Sequence, residues 1–355
     1  MSLPPPMRPG LHLAFLTSGP NAPSSRYRVF QYIPHLRKLG FRCTVANSFP
    51  EKYDYFPWLG WRLSRQLKRM VRRYHLLQLK WSKPDVIILE RELFDEPTCE
   101  FEEQLTRFAH KIVLDIDDAV FMRYPEKFDR LAQLCDGIIA GNSRLVEYFQ
   151  TRNPRVALIP TCVDMDLYPQ RSPSSPTDRT VIGWIGTASN LPQLSLVLPA
   201  LREVSKQTPI ELRIITSRRD PLDTMDTEGI SIRFVPWNAH DAVQQLQHCD
   251  IGIMPLEHDD PWNHYKCGLK LIEYMAIGLP AIASPVGVNA QIVTPNVDGY
   301  LASNTAEWVD AIQKLAQSPE LRARIGDAAR ITVMQHYSTQ AQTPQLIKAL
   351  LEFSQ

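Results

Sequence analysis

The feature that most constrains the fold of this chain is a repeated alternation of short apolar runs with helix-like stretches. Runs rich in Val, Ile and Leu, separated by stretches of helical periodicity, indicate parallel strands that are buried on both faces and joined by right-handed crossovers. In the first half of the chain, strands are predicted at 11–16, 41–46, 85–89, 111–114, 137–140 and 156–159. A helix is predicted at 27–39, shortly after the first strand.

The alternation stops in a Pro- and Ser-rich stretch at 169–179, which is typical of an interdomain linker. Beyond it, strands are predicted at 181–185, 212–216, 232–235, 251–254 and 281–284, and a helix is predicted at 193–205. Since 355 residues are too many for one ordinary core, we predict an α/β protein of two Rossmann-like, doubly wound domains. The first covers 1–168, the second covers 180–335, and a last helix at 336–355 returns to the first domain.

The composition is that of a globular protein, with 44% hydrophobic residues, 22% charged residues and a net charge of +1. So small a net charge gives no indication of nucleic-acid binding. The six cysteines are scattered without paired spacing, which predicts reduced thiols in a cytoplasmic protein and not a disulfide or zinc framework. No apolar run approaches the length of a membrane-spanning helix.

Residues 58–83 form a basic segment with eight lysines or arginines and no acidic residue. Its apolar residues recur at spacings of three and four, so that a helix would largely separate its basic and apolar faces. Such a helix is able to lie on an anionic membrane surface, which makes a membrane a candidate partner. The alternative is a solvated basic face above an ordinary core stripe.

The most informative pattern surrounds a helix predicted at 268–277 and ended by Gly278. Placed on a helix, Lys266, Lys270 and Glu273 share one face at spacings of four and three. Free N–H groups at a helix start and two ammonium groups suit a diphosphate, and the carboxylate is able to accept hydrogen bonds from ribose hydroxyls. The alternative is an exposed Lys–Glu pair of little energetic value.

Three stretches carry a resemblance to a known family: 250–293, with Lys-Cys-Gly-Leu-Lys-Leu-Ile-Glu-Tyr-Met-Ala-Ile-Gly-Leu-Pro at its centre, and the shorter 159–164 and 181–186. There the chain resembles the family-4 retaining glycosyltransferases of the GT-B fold, which are glycosyl transferases of group 1. The resemblance covers nearly all of the C-terminal half, and in the N-terminal half it is topological. It implies two Rossmann-like domains that face each other across a cleft, with the nucleoside-diphosphate sugar on the C-terminal domain and the acceptor on the N-terminal one.

The resemblance also implies roles for individual residues of the helix. Glu273 corresponds to the glutamate that holds the donor ribose. The backbone at Cys267, Gly268 and Leu269 corresponds to the segment that approaches the diphosphate. The first glutamate of the same family motif falls on Tyr265, so the sequence departs from the family at this position.

A second departure lies in the loop after the first strand of the C-terminal domain. The arginine and lysine of the family are missing there, and Thr187, Ser189 and Asn190 occupy the loop. Gly186 and Thr187 still belong to the predicted donor site by position. Lys266 is the candidate that replaces the missing positive charge.

The loop at 19–28 follows the first predicted strand, where the resembled family has a glycine-rich loop that faces the diphosphate. Arg26 is predicted to pair with a phosphate there, since a guanidinium binds phosphate through two parallel hydrogen bonds. The alternative is that Arg26 and Arg28 only begin a helix.

Three carboxylates, Asp115, Asp117 and Asp118, end another predicted strand. Their proximity predicts a raised pKa or a cationic partner for at least one of them. Asp117 or Asp118 is predicted to orient the acceptor hydroxyl or to stabilise positive charge at the anomeric carbon, and capping of the following helix is the alternative. Glu90 and Glu92, after the neighbouring strand, are weaker candidates of the same kind.

No metal or other cofactor is expected, since the resembled GT-B enzymes generally need none. The stretch 257–264 contains two histidines and three acidic residues but lacks the ordered spacing of metal ligands. We expect it to form a loop that closes over the donor, with Trp262 and Tyr265 as walls of the sugar pocket.

These observations predict a hexosyltransferase-type glycosyltransferase that moves a sugar from a nucleoside diphosphate to an acceptor hydroxyl with retention. Its acceptor is expected to be a glycan or a lipid-linked molecule in surface polysaccharide or glycolipid synthesis, in the cytoplasm or at the inner face of the membrane. Two alternatives stay open. One is a nucleotide-sugar epimerase or phosphorylase of the same fold, and the other is a catalytically degenerate nucleotide-binding partner subunit.

Overall fold

The computed structural model describes residues 10–171 and 178–354. Residues 172–177 of the predicted linker lie outside this part of the chain. Among the described residues, no helix combines the length and the apolar character that crossing a membrane requires.

The chain divides into two compact units. The first runs to Thr161 and also includes the residues from Gln342 onward, whereas the second is Cys162–Ala341. This division lies earlier than the predicted end of the first domain, because the N–H of Val163 donates to the carbonyl of Tyr337 at 2.9 Å within the second unit.

The first unit is built on six parallel strands with helices around them. The strands are β1 His12–Thr17, β2 Arg42–Asn47, β3 Val86–Glu90, β4 Lys111–Ile116, β5 Gly137–Ala140 and β6 Val156–Leu158. The helices are α1 Pro23–Ser25, α2 Tyr32–Lys38, α3 Gly60–Ser82, α4 Glu100–Leu105, α5 Pro125–Leu134 and α6 Ser143–Gln150. The strands lie in the order β2-β1-β3-β4-β5-β6, and β1, β3 and β5 are buried along their whole length, as parallel strands covered on both faces must be.

The second unit has a sheet of the same kind. Its strands are β7 Thr180–Ile185, β8 Ile210–Thr216, β9 Ile232–Pro236, β10 Ile251–Met254, β11 Ala281–Ala283 and β12 Tyr300–Leu301. Its helices are α7 Leu198–Ser205, α8 Ala242–Gln247, α9 Leu269–Ala276, α10 Asn289–Ile292, α11 Thr305–Gln317 and α12 Pro319–His336. The last helix, α13 Thr339–Phe353, begins in this unit and ends in the first.

The strands of the second sheet lie in the order β12-β11-β10-β7-β8-β9. Read from the other edge, this is the order 3-2-1-4-5-6 of the Rossmann fold. All paired strands in both sheets are parallel. The prediction of two Rossmann-like, doubly wound α/β units is therefore confirmed.

One helix predicted from the sequence is split in the structure. The stretch predicted as a helix at 193–205 consists of the end of a 3-10 helix, Ala188–Leu196, followed by α7. Pro199 has no N–H to donate to the carbonyl of Ser195, so an uninterrupted α-helix would lack a hydrogen bond at that point.

Strands β7 and β10 are connected through Tyr274 of α9. Its hydroxyl accepts a hydrogen bond from the N–H of Ile185 at 3.0 Å and donates one to the carbonyl of Ile253 at 3.2 Å. The tyrosine ring lies against Gly252 so closely that a Cβ at that position would overlap it. Burial raises the pKa of Tyr274 well above its usual value, which keeps on the hydroxyl the proton that it donates.

We expect Tyr274→Phe to lower the free energy of unfolding by about 1–3 kcal/mol, because it leaves the buried N–H of Ile185 without its acceptor. Denaturant titration of the purified variant measures the loss. The matched control is Tyr300→Phe, which removes one hydroxyl from a buried tyrosine of edge strand β12. Equal stability of Tyr274→Phe and the unmodified protein would contradict the role given to this hydroxyl.

Candidate functional site

The strand order of the second unit reverses between β7 and β10, which are neighbours in the sheet. In open α/β sheets, ligands bind at the carboxyl ends of the strands where the order reverses. The loop that leaves β7 begins with Gly186 and Thr187, two residues of the predicted donor site. The chain that leaves β10 continues through Pro255 and Leu256. The structure thus places these two predicted donor residues at the reversal point of the sheet.

Helix α9 begins at Leu269, after Gly268 with a left-handed φ of 67°. Lys266 precedes this turn in an extended conformation, so the prediction that it shares a helix face with Lys270 and Glu273 is wrong. The physical reason is the left-handed backbone of Gly268, which is incompatible with a continuous helix. Gly278, with a φ of 76°, follows the last turn as predicted.

Lys266 nevertheless reaches the loop after β7. Its Nζ donates to Oδ1 of Asn190 at 3.0 Å, and Nδ2 of Asn190 donates to Oγ1 of Thr187 at 2.7 Å. Oγ1 of Thr187 lies 3.1 Å from Oγ of Ser189. A lysine from before α9 and three polar side chains of this loop therefore form one hydrogen-bonded network, which brings positive charge to the loop after β7.

Lys270, in the first turn of α9, also reaches the end of β7. Its Nζ lies 5.7 Å from the centre of the Trp184 ring, within range of a cation–π contact. A Cβ at position 186 would lie 2.5 Å from Cε of Lys270 and 2.9 Å from the Trp184 ring, so a larger residue there would displace one of these side chains. Trp184, Asn190 and Lys270 line one small pocket together with Gln193, Met254, Pro255 and Leu256.

Glu273 is buried, and its Oε1 accepts a hydrogen bond from the hydroxyl of Tyr168 at 2.8 Å. The exposed Lys–Glu pair considered from the sequence is therefore not what the structure contains. Residues 271–277 are all buried, so the polar face predicted for this helix is limited to its first turn. Cys267 and Gly268 are buried and Leu269 is half-buried.

The stretch 257–264 folds into a loop and a short 3-10 helix, Pro261–Tyr265. Asp260 caps this helix, because its Oδ1 accepts from the N–H of Trp262 at 3.0 Å. Trp262 and Tyr265 are half-buried, and their role as walls of a sugar pocket stays a prediction. Within residues 10–171 and 178–354, no group of three or more His, Cys, Asp or Glu side chains is arranged to hold a metal ion.

In the first unit, the strand order reverses between β1 and β3. The carboxylate of Glu90, at the end of β3, is buried and accepts from the N–H of Ser18 at 2.6 Å and from Oγ of Ser25 at 2.6 Å. Glu90 thus holds the loop after β1 in place through these hydrogen bonds. The half-buried Arg26 begins a π-helix, Arg26–Phe30, that follows α1, and its pairing with a phosphate stays a prediction.

The predicted carboxylate cluster at the end of β4 has cationic partners, one of the two outcomes that its spacing predicted. Nε and Nη2 of Arg28 each donate to one oxygen of Asp115 at 2.9 Å, and Nη1 of Arg28 donates to the carbonyl of Ile159 at 2.7 Å. Arg28 is buried, so it is a structural partner of Asp115 as well as part of a helix. Burial raises the pKa of Asp115 to about 6, although the Arg28 guanidinium opposes that shift.

Asp117 and Asp118 both lie near Arg91, which follows β3. Nε of Arg91 donates to Oδ1 of Asp117 at 2.6 Å, and its Nη2 lies 3.7 Å from Oδ2 of Asp118. Burial would raise the pKa of Asp117, but the Arg91 guanidinium outweighs it and lowers the pKa below its usual value. Asp118 caps the following 3-10 helix by accepting from the N–H of Ala119 at 2.9 Å. The alternative role predicted for these aspartates, capping of the following helix, is thus observed for Asp118.

Four residues of these two sites were not predicted from the sequence. The role of Arg91 could have been predicted, because Arg91 directly follows β3, the strand next to the one that bears the carboxylates. Lys52 is buried, and its Nζ lies 3.3 Å from Oε1 of Glu92. Nothing in the sequence predicts the roles of Lys52 and Tyr168, because their partners are remote in sequence. Arg28 was considered only as the start of a helix.

Comparison with known proteins was consistent with the predicted resemblance. The model of a family described as Glycosyl transferases group 1 matches residues 179–318. D-inositol 3-phosphate glycosyltransferase of Saccharomonospora viridis is 27% identical over 173 residues, which are 44% of this chain and 39% of that relative. The match thus spans well under half the length of the relative. The resemblance is confirmed at the level of group 1, and the retaining family-4 subtype stays a prediction.

Solved structures match along nearly the whole chain. Sucrose-phosphate synthase from Thermosynechococcus elongatus superposes with a TM-score of 0.73 at 15% identity, covering 96% of this chain and 98% of that one. The Anabaena protein HepE, in complex with UDP and glucose, superposes with a TM-score of 0.66 at 14% identity, covering 96% and 100%. At such identities the likeness shows the fold, which is that of GT-B glycosyltransferases.

We expect Asp115→Asn to lower the free energy of unfolding by about 3–5 kcal/mol, because it leaves the buried Arg28 guanidinium without its counter-charge. Asp118→Asn is the matched control, and a change within about 0.5 kcal/mol is expected since asparagine caps helices as well as aspartate does. Thermal and denaturant unfolding measure both. A small loss for Asp115→Asn, equal to that of the control, would show that the pair does not stabilise the first unit.

Proposed function

Starting from residues 179–318 as a glycosyl transferases group 1 domain, we propose that this chain is a glycosyltransferase. It moves a sugar, a hexose by resemblance, from a nucleoside diphosphate to an acceptor hydroxyl with retention of configuration. The observation that carries the proposal is the convergence of Lys266, Lys270 and the start of α9 on the end of β7, where the strand order reverses.

The second unit is the donor-binding unit in this proposal. The leaving diphosphate gains negative charge as the bond to the sugar breaks, and fixed positive charge at that place lowers the barrier most directly. Lys266 and Lys270 supply ammonium groups, and the N–H groups at the start of α9 point toward the same anion. Lys266 comes from outside the helix but is held by Asn190, so its charge is positioned before the donor arrives.

Glu273 binds the ribose of the donor in this proposal. Its carboxylate accepts a hydrogen bond from a ribose hydroxyl, and Tyr168 orients that carboxylate through Oε1. An oriented carboxylate loses less conformational entropy when the ribose binds. The tyrosine at position 265, where the family has its first glutamate, suits a donor sugar that is recognised by stacking rather than by a carboxylate.

The first unit carries the acceptor-side carboxylates. Asp117 stays ionised because of Arg91, which makes it suited to stabilise positive charge at the anomeric carbon or to orient the acceptor hydroxyl. Arg26 is the candidate phosphate partner from this unit. The acceptor is a glycan or lipid-linked molecule, in the cytoplasm or at the inner face of a membrane, and the reaction needs no metal or other cofactor.

Donor binding tests the site directly. We expect Lys266→Met and Glu273→Gln each to weaken binding of UDP or of the preferred nucleotide about tenfold or more, since each removes a charge-assisted hydrogen bond. Isothermal titration calorimetry measures the affinity. The matched control is Lys314→Met, which removes an exposed lysine of α11 whose partner is Asp310. Unchanged affinity in both site variants would refute the assignment.

Turnover tests the activity. Incubation with UDP-, GDP-, ADP- and dTDP-sugars is expected to release the nucleoside diphosphate from one of them, at a rate that EDTA leaves unchanged. Nuclear magnetic resonance of the glycoside formed with an acceptor reports whether the anomeric configuration is retained. Binding of a donor without turnover on the whole panel would instead favour a non-catalytic subunit, and product formed without any acceptor would favour an epimerase.

A further inference from the structure

Helix α3, Gly60–Ser82, is amphipathic, but the side that packs on the first unit contains polar and charged side chains besides two leucines. Its buried residues are Ser64, Arg72, His75, Leu76 and Leu79. An ordinary surface helix buries its apolar stripe against the core and exposes its charges. The alternative considered from the sequence, an apolar core stripe beneath a solvated basic face, is therefore wrong for this helix.

The apolar stripe of α3 faces solvent. Residues that recur at spacings of seven, four, three and four have exposed fractions from 57% to 84%: Leu63, Met70, Tyr74, Leu77 and Trp81. Tyr74, Leu77 and Trp81 each stand two positions after a buried residue, a step of about 200° around a helix. This row, which we name the outer stripe, thus lies opposite the side of α3 that is packed on the unit.

The inward side is held by polar contacts. Nη1 of Arg72 donates to the carbonyl of Ala46 at 2.9 Å and its Nη2 to the carbonyl of Thr17 at 2.7 Å. Arg65 and Arg69 both donate to the carboxylate of Glu96. These bonds fix the rotation of the helix about its axis, so the outer stripe cannot simply turn inward.

The remaining charges frame the outer stripe. The basic residues of the segment that do not pack inward are exposed: Arg62, Arg73, Lys80 and Lys83. Arg62, Arg73 and Lys80 lie near one side of the stripe by helical spacing. The segment has no acidic residue, so the exposed face of α3 combines apolar surface with positive charge alone.

Aromatic residues mark both ends of the helix. Trp81 is in the last turn, and Trp58 and Trp61, exposed to 80% and 60%, stand at the start. The ring of Trp58 stacks on Phe56 at 5.5 Å, and Phe56 contacts Phe49 at 5.4 Å. Tryptophan is enriched where apolar and polar layers of a bilayer meet, and cations beside it favour anionic headgroups.

We propose that the outer stripe of α3 is a docking surface for an anionic lipid bilayer, in which the helix lies parallel to the membrane plane. Leu63, Met70 and Leu77 enter the boundary of the acyl chains while Arg73 and Lys80 contact lipid phosphates. The inference gives a defined surface to the membrane location proposed above, and it is independent of transfer activity because docking needs no donor.

Flotation with unilamellar vesicles tests the proposal on the full chain. The unmodified protein is expected to float with phosphatidylcholine vesicles that contain phosphatidylglycerol and to stay largely unbound with phosphatidylcholine alone. The triple variant Met70→Ser, Tyr74→Ser, Leu77→Ser is expected to lose at least about tenfold of its binding, and so is Arg73→Gln with Lys80→Gln. Because all five side chains are exposed, the variants are expected to fold.

The matched control is Ile331→Ser with Met334→Ser, which removes two exposed apolar side chains from α12 of the second unit and is expected to float normally. Retained nucleotide binding by every variant separates loss of docking from loss of the donor site. Flotation of the triple variant at the level of the unmodified protein would overturn the proposal. So would failure of the unmodified protein to bind anionic vesicles, or light scattering showing self-association that the triple variant abolishes while lipid binding is absent.

Discussion

The hydroxyl of Tyr274 holds together the two strands between which the strand order of the second unit reverses. One protonated oxygen accepts from β7 and donates to β10, and this is possible because burial keeps the proton in place. Helix α9, which presents Tyr274, also presents Lys270 and Glu273. The positions of the candidate diphosphate and ribose groups therefore depend on how this one helix is attached to the sheet.

In the first unit, paired charges fix the positions of the candidate side chains. Three carboxylates at the end of one strand would repel each other, and each of two guanidinium groups removes part of that repulsion. Arg28 and Asp115 form a buried pair with two parallel hydrogen bonds, which serves the structure. Arg91 leaves Asp117 ionised and only partly enclosed, which leaves a carboxylate available for chemistry at the end of β4.

The strands could be predicted from the sequence because strands buried on both faces leave continuous apolar runs, and Gly278 marked the end of α9 by its backbone requirement. Partners of the site residues could not, since Tyr168 and Glu273 are separated by 105 positions. The predicted placement of Lys266 on the face of α9 was wrong, because spacing alone does not reveal the left-handed turn at Gly268. The orientation of α3 was equally hidden, since periodicity separates two faces without saying which one is covered.

The last turn of α13 belongs to the first unit, where the ring of Phe353 lies directly on Gly137 of β5 and leaves no room for a Cβ there. The second unit is continuous in sequence, whereas the first is completed by residues from Gln342 onward. During synthesis, the sheet of the first unit therefore stays partly exposed until the residues that follow the second unit have been made. The unit that begins first along the chain is thus the one that is completed last.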